Sequence, residues 1–170
     1  GGSNEQGSEP WYRDVWSSRD GLRWNRVTSS TEFVAGLSGV VFKDRMWICE
    51  GHEKSISLWH SKDGSSWTPA TPLPIGIRER QGHVVHQGKM WIIGGSLFTP
   101  LKGRESTETN DIWFSDDGSQ WKQSIPATSH FEPRGWFISL DYRDRLWILG
   151  GHKWSPNYSH SDVWSGRLIP

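Results

Sequence analysis

The feature that most constrains this chain is a seven-residue phrase written three times: SRDGLRW at 18–24, SKDGSSW at 61–67 and SDDGSQW at 115–121. Eight residues before each closing Trp stands another, in DVW (14–16), SLW (57–59) and DIW (111–113), and a fourth triplet, DVW, lies at 162–164. A third series runs through DRMWICEG (44–51), GKMWIIGG (88–95) and DRLWILGG (144–151). Repeat positions thus absorb all of the 13 tryptophans except Trp11, Trp136 and Trp154. A fixed period of this kind means one supersecondary unit stacked on copies of itself.

Each unit reads as four short strands. A Val- or Ile-rich inner strand (SGVVF 38–42, HVVHQ 83–87, WFISL 136–140) meets a polar turn, KDR, QGK or RDR, and then the Trp-Ile strand that ends at GG. A loop leads to the third strand at D-[VI]-W, and the repeated phrase closes a hairpin into the fourth (WNRVT, WTPAT, WKQSI). Short strands punctuated by turn signals are the mark of an all-β chain. Asp-Gly explains the phrase, because Gly accepts the positive φ of a tight turn. The Ser and Asp oxygens satisfy turn amides that lack a ladder partner, and the Trp is expected to drop between neighbouring sheets.

Composition narrows the function classes. Lys+Arg and Asp+Glu are both 19, so the formal charge is zero. A nucleic-acid partner or an anionic membrane surface would call for a basic patch. No apolar run approaches the roughly eighteen residues of a membrane span, so no membrane insertion is expected. The single cysteine forms no internal disulfide; Cys49 aligns with Ile93 and Leu149 and reads as a small core residue. With 34% hydrophobic residues, the tryptophans must carry much of the core. The chain shows neither an initiator Met nor a signal-peptide pattern, which reads as a start removed by processing or fragmentation.

Four-stranded units with an aromatic second strand ending in GG, here WIIGG (91–95) and WILGG (147–151), and a Trp opening each fourth strand resemble kelch repeats. The phrase SKDGSSW also looks like a one-residue-shorter form of the Asp-box hairpin. The resemblance runs from residue 1 to about 167 and implies a β-propeller of four-stranded kelch-type blades. The expected division is a partial blade at 1–30, blades at 31–71 and 72–126, and a nearly complete blade at 127–170. That is about three and a half blades, where closed kelch propellers usually have about six or seven. The expectation is a partial propeller, or half of a ring completed by self-association or by missing blades. Gly1-Gly2 reads either as the end of a second strand or as a linker scar. The first full unit departs from the pattern, with Glu50 in place of Gly94 and Gly150, and GLSG (36–39) in place of RQGH (80–83).

Variable loops on a repeated scaffold carry binding function. The second-to-third loop is the variable one here, with 8, 18 and 13 residues from the second Gly or its equivalent to the next Trp. The fourth-to-first connections, 72–80 and 128–135, open on the same face. The candidate ligand-binding residues there are Glu50, His52, Arg80, Arg104, Arg134, His152, Trp154 and Tyr158, with Lys102 beside Arg104. Arg80 and Arg134 open inner strands and are expected to point to the channel mouth. Arginines with spare aromatics suit a carboxylate-bearing sugar or an acidic peptide, through forked hydrogen bonds and stacking. The same residues read equally as solvated loop charges, with Trp154 packed on its neighbour. Glu50 reads as a general acid or base, or as the cap of a strand break bonded to His52.

No zinc, calcium or phosphate-loop pattern is present, and His83 and His86 sit on opposite faces of one strand, so no metal or cofactor is expected. The leading expectation is a non-catalytic module recognising a protein segment or glycan. The alternative, implied by resemblance, is a sugar isomerase similar to the kelch-type sialic-acid mutarotases, using Glu50, His52, Arg80 and Arg134. Relatives of the copper-dependent galactose oxidases are disfavoured, because Cys49 lies within a strand and Tyr12, Tyr142 and Tyr158 do not match. The resemblance also implies an extracellular or periplasmic protein.

Overall fold

The computed structural model describes residues 12–33, 38–52, 55–70, 73–98, 106–126 and 130–167. Their regular structure is strand throughout. β1 (Val15–Ser18) and β2 (Trp24–Thr28) form a two-stranded ribbon. β3 (Ser38–Phe42), β4 (Arg45–His52), β5 (Ser55–Ser61) and β6 (Thr68–Pro69) form a four-stranded antiparallel sheet in sequence order. In the next sheet β9 (Lys89–Phe98) pairs with β8 (Gly82–His86), β10 (Ser106–Ser115) and, near its far end, β7 (Arg78–Glu79). β11 (Trp121–Ser124) closes that sheet's outer edge. The last sheet holds β12 (Ile138–Asp141), β13 (Leu146–Leu149) and β16 (Val163–Gly166), while β14 (His152–Lys153) and β15 (Tyr158–Ser159) form a separate small ribbon. This is the expected succession of small antiparallel sheets along an all-β chain; Gly1-Gly2, Leu168, Ile169 and Pro170 lie outside the described residues.

The first-to-second turns are built alike. Both turn residues take positive φ: Lys43 and Asp44 at 48° and 55°, Gln87 and Gly88 at 47° and 69°, Arg143 and Asp144 at 50° and 57°. That conformation matches the twist of the flanking strands. The following Trp then locks the turn. Its indole Nε1 donates to the carbonyl five residues back, from Trp47 to Phe42 at 3.0 Å, Trp91 to His86 at 3.1 Å and Trp147 to Tyr142 at 2.8 Å.

The repeated phrase is equally uniform. In each copy the Ser Oγ accepts the Gly amide at 2.8 Å. The Asp Oδ1 accepts the next two amides, Ser65 and Ser66 at 2.8 and 2.9 Å for Asp63. These bonds, that from Ser66 foremost, hold the Asp63 carboxyl down at about 2, and Gln120 and Ser119 depress Asp117 in the same way. The closing Trp donates to the phrase's own Gly carbonyl, at 3.1, 2.9 and 3.3 Å in turn. Trp67 packs edge-on against Phe33, and Trp121 lies against the core. Trp24, in the first ribbon, is instead mostly exposed.

The core lies between sheets rather than within them. One cluster joins Phe42, Trp47, Cys49 and Leu58 to Leu73, Ile75, Met90 and Ile92 across the second and third sheets. A second joins Val84, Trp91 and Ile93 to Phe131 and Ile148 across the third and fourth. Cys49 takes the core place expected of it and accepts a hydrogen bond from Gln81 Nε2 at 3.3 Å. Inner strands touch directly: the Ser38 hydroxyl meets His83 Nδ1, Ser139 Oγ donates to the His83 carbonyl at 3.1 Å, and His86 Nδ1 lies 3.1 Å from Asp141.

The GG pair of the third sheet interrupts the ladder for a reason. Gly94 and Gly95 have φ of 51° and 101°, and the β9–β10 register shifts between Thr109 and Ile112. The gap takes backbone from the next unit: Gly95 N–H donates to the Arg134 carbonyl at 3.0 Å, and Arg134 N–H to the Thr109 carbonyl at 3.3 Å. In the second sheet, where Glu50 replaces the first Gly, the ladder runs on unbroken through Glu50↔Ser57, Gly51↔Ile56 and His52↔Ser55. There is no strand break for Glu50 to cap.

Candidate functional site

Two buried arginines set the frame. Arg78 forks onto Asp111, with bonds of 2.7 and 2.9 Å, and also donates to the Gly94 and Ile75 carbonyls. Arg134 repeats the arrangement on Asp162, the Gly150 carbonyl at 3.0 Å and the Glu132 carbonyl at 3.0 Å. Each Asp also receives the indole N–H two residues on, Trp113 or Trp164, at 2.7 Å. The Arg134 guanidinium and the Trp164 indole hold the Asp162 carboxyl well below the usual range. At Asp111, burial pushes the other way, but the bonds from Arg78 and Trp113 prevail and the carboxyl is still lowered.

Arg134 therefore differs from the expectation that it opens on the channel mouth. Its side chain is 0% exposed and its donors are spent on Asp162 and two carbonyls. Its counterpart is Arg78, four residues before the start of the paired inner strand, rather than Arg80. In the first full unit the same two places hold Val34 and Ser57, so the Arg and its Asp are absent together. That joint presence and absence is a sequence signal for the pair, and the alignment of Arg80 with Arg134 obscured it.

Arg80 is aligned instead with Trp136. Both are left-handed, at φ of 60° and 53°, and Trp136 N–H donates to the Arg80 carbonyl at 3.0 Å. In the first full unit this position is Gly36. Left-handed backbone costs a non-glycine residue about 1 kcal/mol or more. The chain thus places a large cation and a large aromatic, side by side, where glycine would fit without strain.

Their side chains meet in a cluster on the long-loop face. The Arg80 guanidinium lies 4.4 Å from the Trp136 ring centroid and 5.8 Å from that of Trp154. The two indoles are T-shaped at 5.1 Å, and His152 stands edge-on to Trp154 at 4.6 Å. The indoles remain 55% and 46% exposed, so stacking on one another has not hidden them. The β14–β15 ribbon presents Trp154, and a paired bridge between Gly135 and His152 ties it to Trp136. His152 Nδ1 lies 3.2 Å from Ser159 Oγ, while its buried Nε2 has no partner among the described residues.

Carboxylates lie alongside. Glu79, Ser96 and Glu108 are successive partners across β7, β9 and β10 and so share one face. Glu79 pairs with Arg80 Nη2 at 3.3 Å, and Ser96 Oγ donates to the buried Glu108 at 3.5 Å. Gly135 connects this face to the cluster. A Cβ there would lie 3.2 Å from both Arg80 Cβ and Ser96 Oγ, so its lack of a side chain permits the approach.

Of the residues expected from sequence, Arg80, His152 and Trp154 come together. Tyr158 is exposed on the same ribbon but stacks edge-on against His160 at 4.8 Å. Lys102 and Arg104 lie outside the described residues, as do the side chains of Glu50 and His52. Trp136, Glu79 and Glu108 were missed by sequence reasoning. Trp136 was among the tryptophans left over by the repeat, which was the signal that could have found it. No group of three or more metal-ligating side chains occurs among the described residues.

No family model matches the chain. It is similar to "Kelch repeat protein M-T8" of Myxoma virus (strain Lausanne), with 24% identity over 135 residues, 76% of this chain and 24% of the viral protein. Among solved structures, the one titled "Structure of YjhT" matches with a TM-score of 0.72 at 15% identity, covering 92% of this chain and 49% of that one. The chain therefore spans about a quarter of the viral relative and about half of the solved structure.

Proposed function

The chain is built of kelch-type propeller blades, and from that premise we propose that it is a non-catalytic binding module that recognises a glycan through its long-loop face. The observation that carries the reading is the Arg80–Trp136–Trp154 cluster: two exposed indoles stacked with a cation, on strained backbone, where the repeat elsewhere has glycine. Backbone strain kept at such a position points to use rather than to folding. Exposed indole faces suit the C–H faces of sugar rings, and the surrounding Arg, Glu and His suit hydroxyls. The sugar-isomerase alternative loses one of its four named groups, because Arg134 is committed to Asp162. An extracellular or periplasmic setting fits a glycan ligand and is part of the same proposal. The outer sheets expose Trp16, Leu22 and Trp24 at one end and Ile138, Tyr142 and Val163 at the other. Further blades, from a second copy or a longer chain, are the partners we propose for these faces.

The test is a glycan array followed by calorimetric titration of the best binder, on the wild type and on Trp154→Ala. We expect saturable glycan binding that weakens about tenfold or more in the variant, as stacked aromatic anchors generally do on truncation. Binding of a peptide library through Trp154 with no glycan captured would overturn the glycan reading.

A further inference from the structure

The charges around the cluster identify the ligand's class, on the premise that the site is the glycan site just described. We propose that it takes a sugar bearing a protonated amine, anchored by Glu108 with Glu79 as a second carboxylate.

Sequence alone pointed to the arginines as anchors for a carboxylate-bearing sugar or an acidic peptide; of the described ones, Arg134 is withdrawn and Arg80 is already engaged. Arg134 is buried and neutralised by Asp162, as Arg78 is by Asp111. Arg80 is the described cation at the cluster, and Glu79 already faces it at 3.3 Å. Glu108 lies on the same face of the ribbon, one strand beyond Ser96, and among the described residues its side chain is held only by the Ser96 hydroxyl at 3.5 Å. Among the described residues in contact here, one cation and two carboxylates leave a negative excess. An incoming carboxylate would have to displace Glu79 from Arg80 and then sit beside Glu108. An incoming ammonium gains a charge-assisted hydrogen bond with no such displacement.

The experiment is calorimetric titration with three probes of equal length: a glucosamine oligomer, its N-acetylated counterpart and a galacturonic acid oligomer. The wild type is expected to bind the free-amine form most tightly. N-acetylation removes the charge and should cost about tenfold, the scale of one hydrogen bond to a charged group. Glu108→Gln should abolish the preference for the amine while Trp154-dependent binding persists. Glu79→Gln, at a more exposed position, frees the Arg80 fork and should raise affinity for the uronate. Tightest wild-type binding to the uronate overturns the proposal, as does an amine preference that survives Glu108→Gln. Equal binding of the free and acetylated amines overturns it while leaving the glycan reading intact. If none of the three probes binds, this proposal fails, and the glycan reading is decided by the array.

Discussion

The same residue in the same motif does different work depending on what the neighbouring blade brings to it. Gly21 and Gly118 occupy one position of the repeated phrase at nearly the same φ, 74° and 83°. A Cβ at Gly21 would meet nothing within 4 Å, whereas at Gly118 it would lie 2.4 Å from Trp47 Cη2. Gly21→Ala should therefore cost only the left-handed backbone, about 1 kcal/mol. Gly118→Ala should cost that plus the displacement of a packed indole, about 3 kcal/mol in all. Urea unfolding of the two variants measures the difference, and equal losses would remove the interlocking of Trp47 with the next blade's turn. His83 gives a second test at this scale. Burial, aided by the Arg78 charge, lowers its imidazole to about 4. Between about pH 6.5 and 4 the unfolded chain binds a proton that the native state refuses, so stability falls as pH falls through that window. His83→Gln should shrink the fall in urea midpoint between pH 7 and pH 4.5. An undiminished fall would place the linkage elsewhere.

Legibility changed from element to element for physical reasons. Strands, tight turns and the Ser-Asp hydrogen bonds of the phrase were readable because they depend on residues adjacent in sequence: Ser61, Asp63 and Gly64 bond to one another and to Ser65 and Ser66. The Arg78–Asp111 and Arg134–Asp162 pairs were not, since their partners lie 33 and 28 residues apart and meet only after the sheet has formed. Each pair bolts the segment entering a blade to that blade's second and third strands. Arg78→Met should therefore cost about 3 kcal/mol, because Asp111 and the Gly94 carbonyl lose their donor in a largely buried place. Chemical denaturation measures this, and a loss below 1 kcal/mol would show the entry segment to be held by its backbone bonds alone. The site followed the same division. Trp154 and Arg80 were nameable one by one, but their meeting with Trp136 depends on the Gly135–His152 bridge, a contact between segments 17 residues apart.

Across the whole molecule, the tryptophans divide by role. Trp47, Trp59 and Trp91 are buried between or within sheets, and the repeat accounts for each. Trp136 and Trp154 stand outside the repeat, remain exposed and gather on the face where the loops vary. That division is the central claim: the first set makes the fold, and we propose that the second makes the site. The measurement that tests it most directly is the unfolding free energy of Trp136→Gly beside its glycan affinity. The account predicts stability within about 1 kcal/mol of wild type, since relief of left-handed strain offsets the lost stacking, together with loss of binding. A loss of about 3 kcal/mol or more, the range of a core aromatic, would contradict it by showing that Trp136 belongs to the fold.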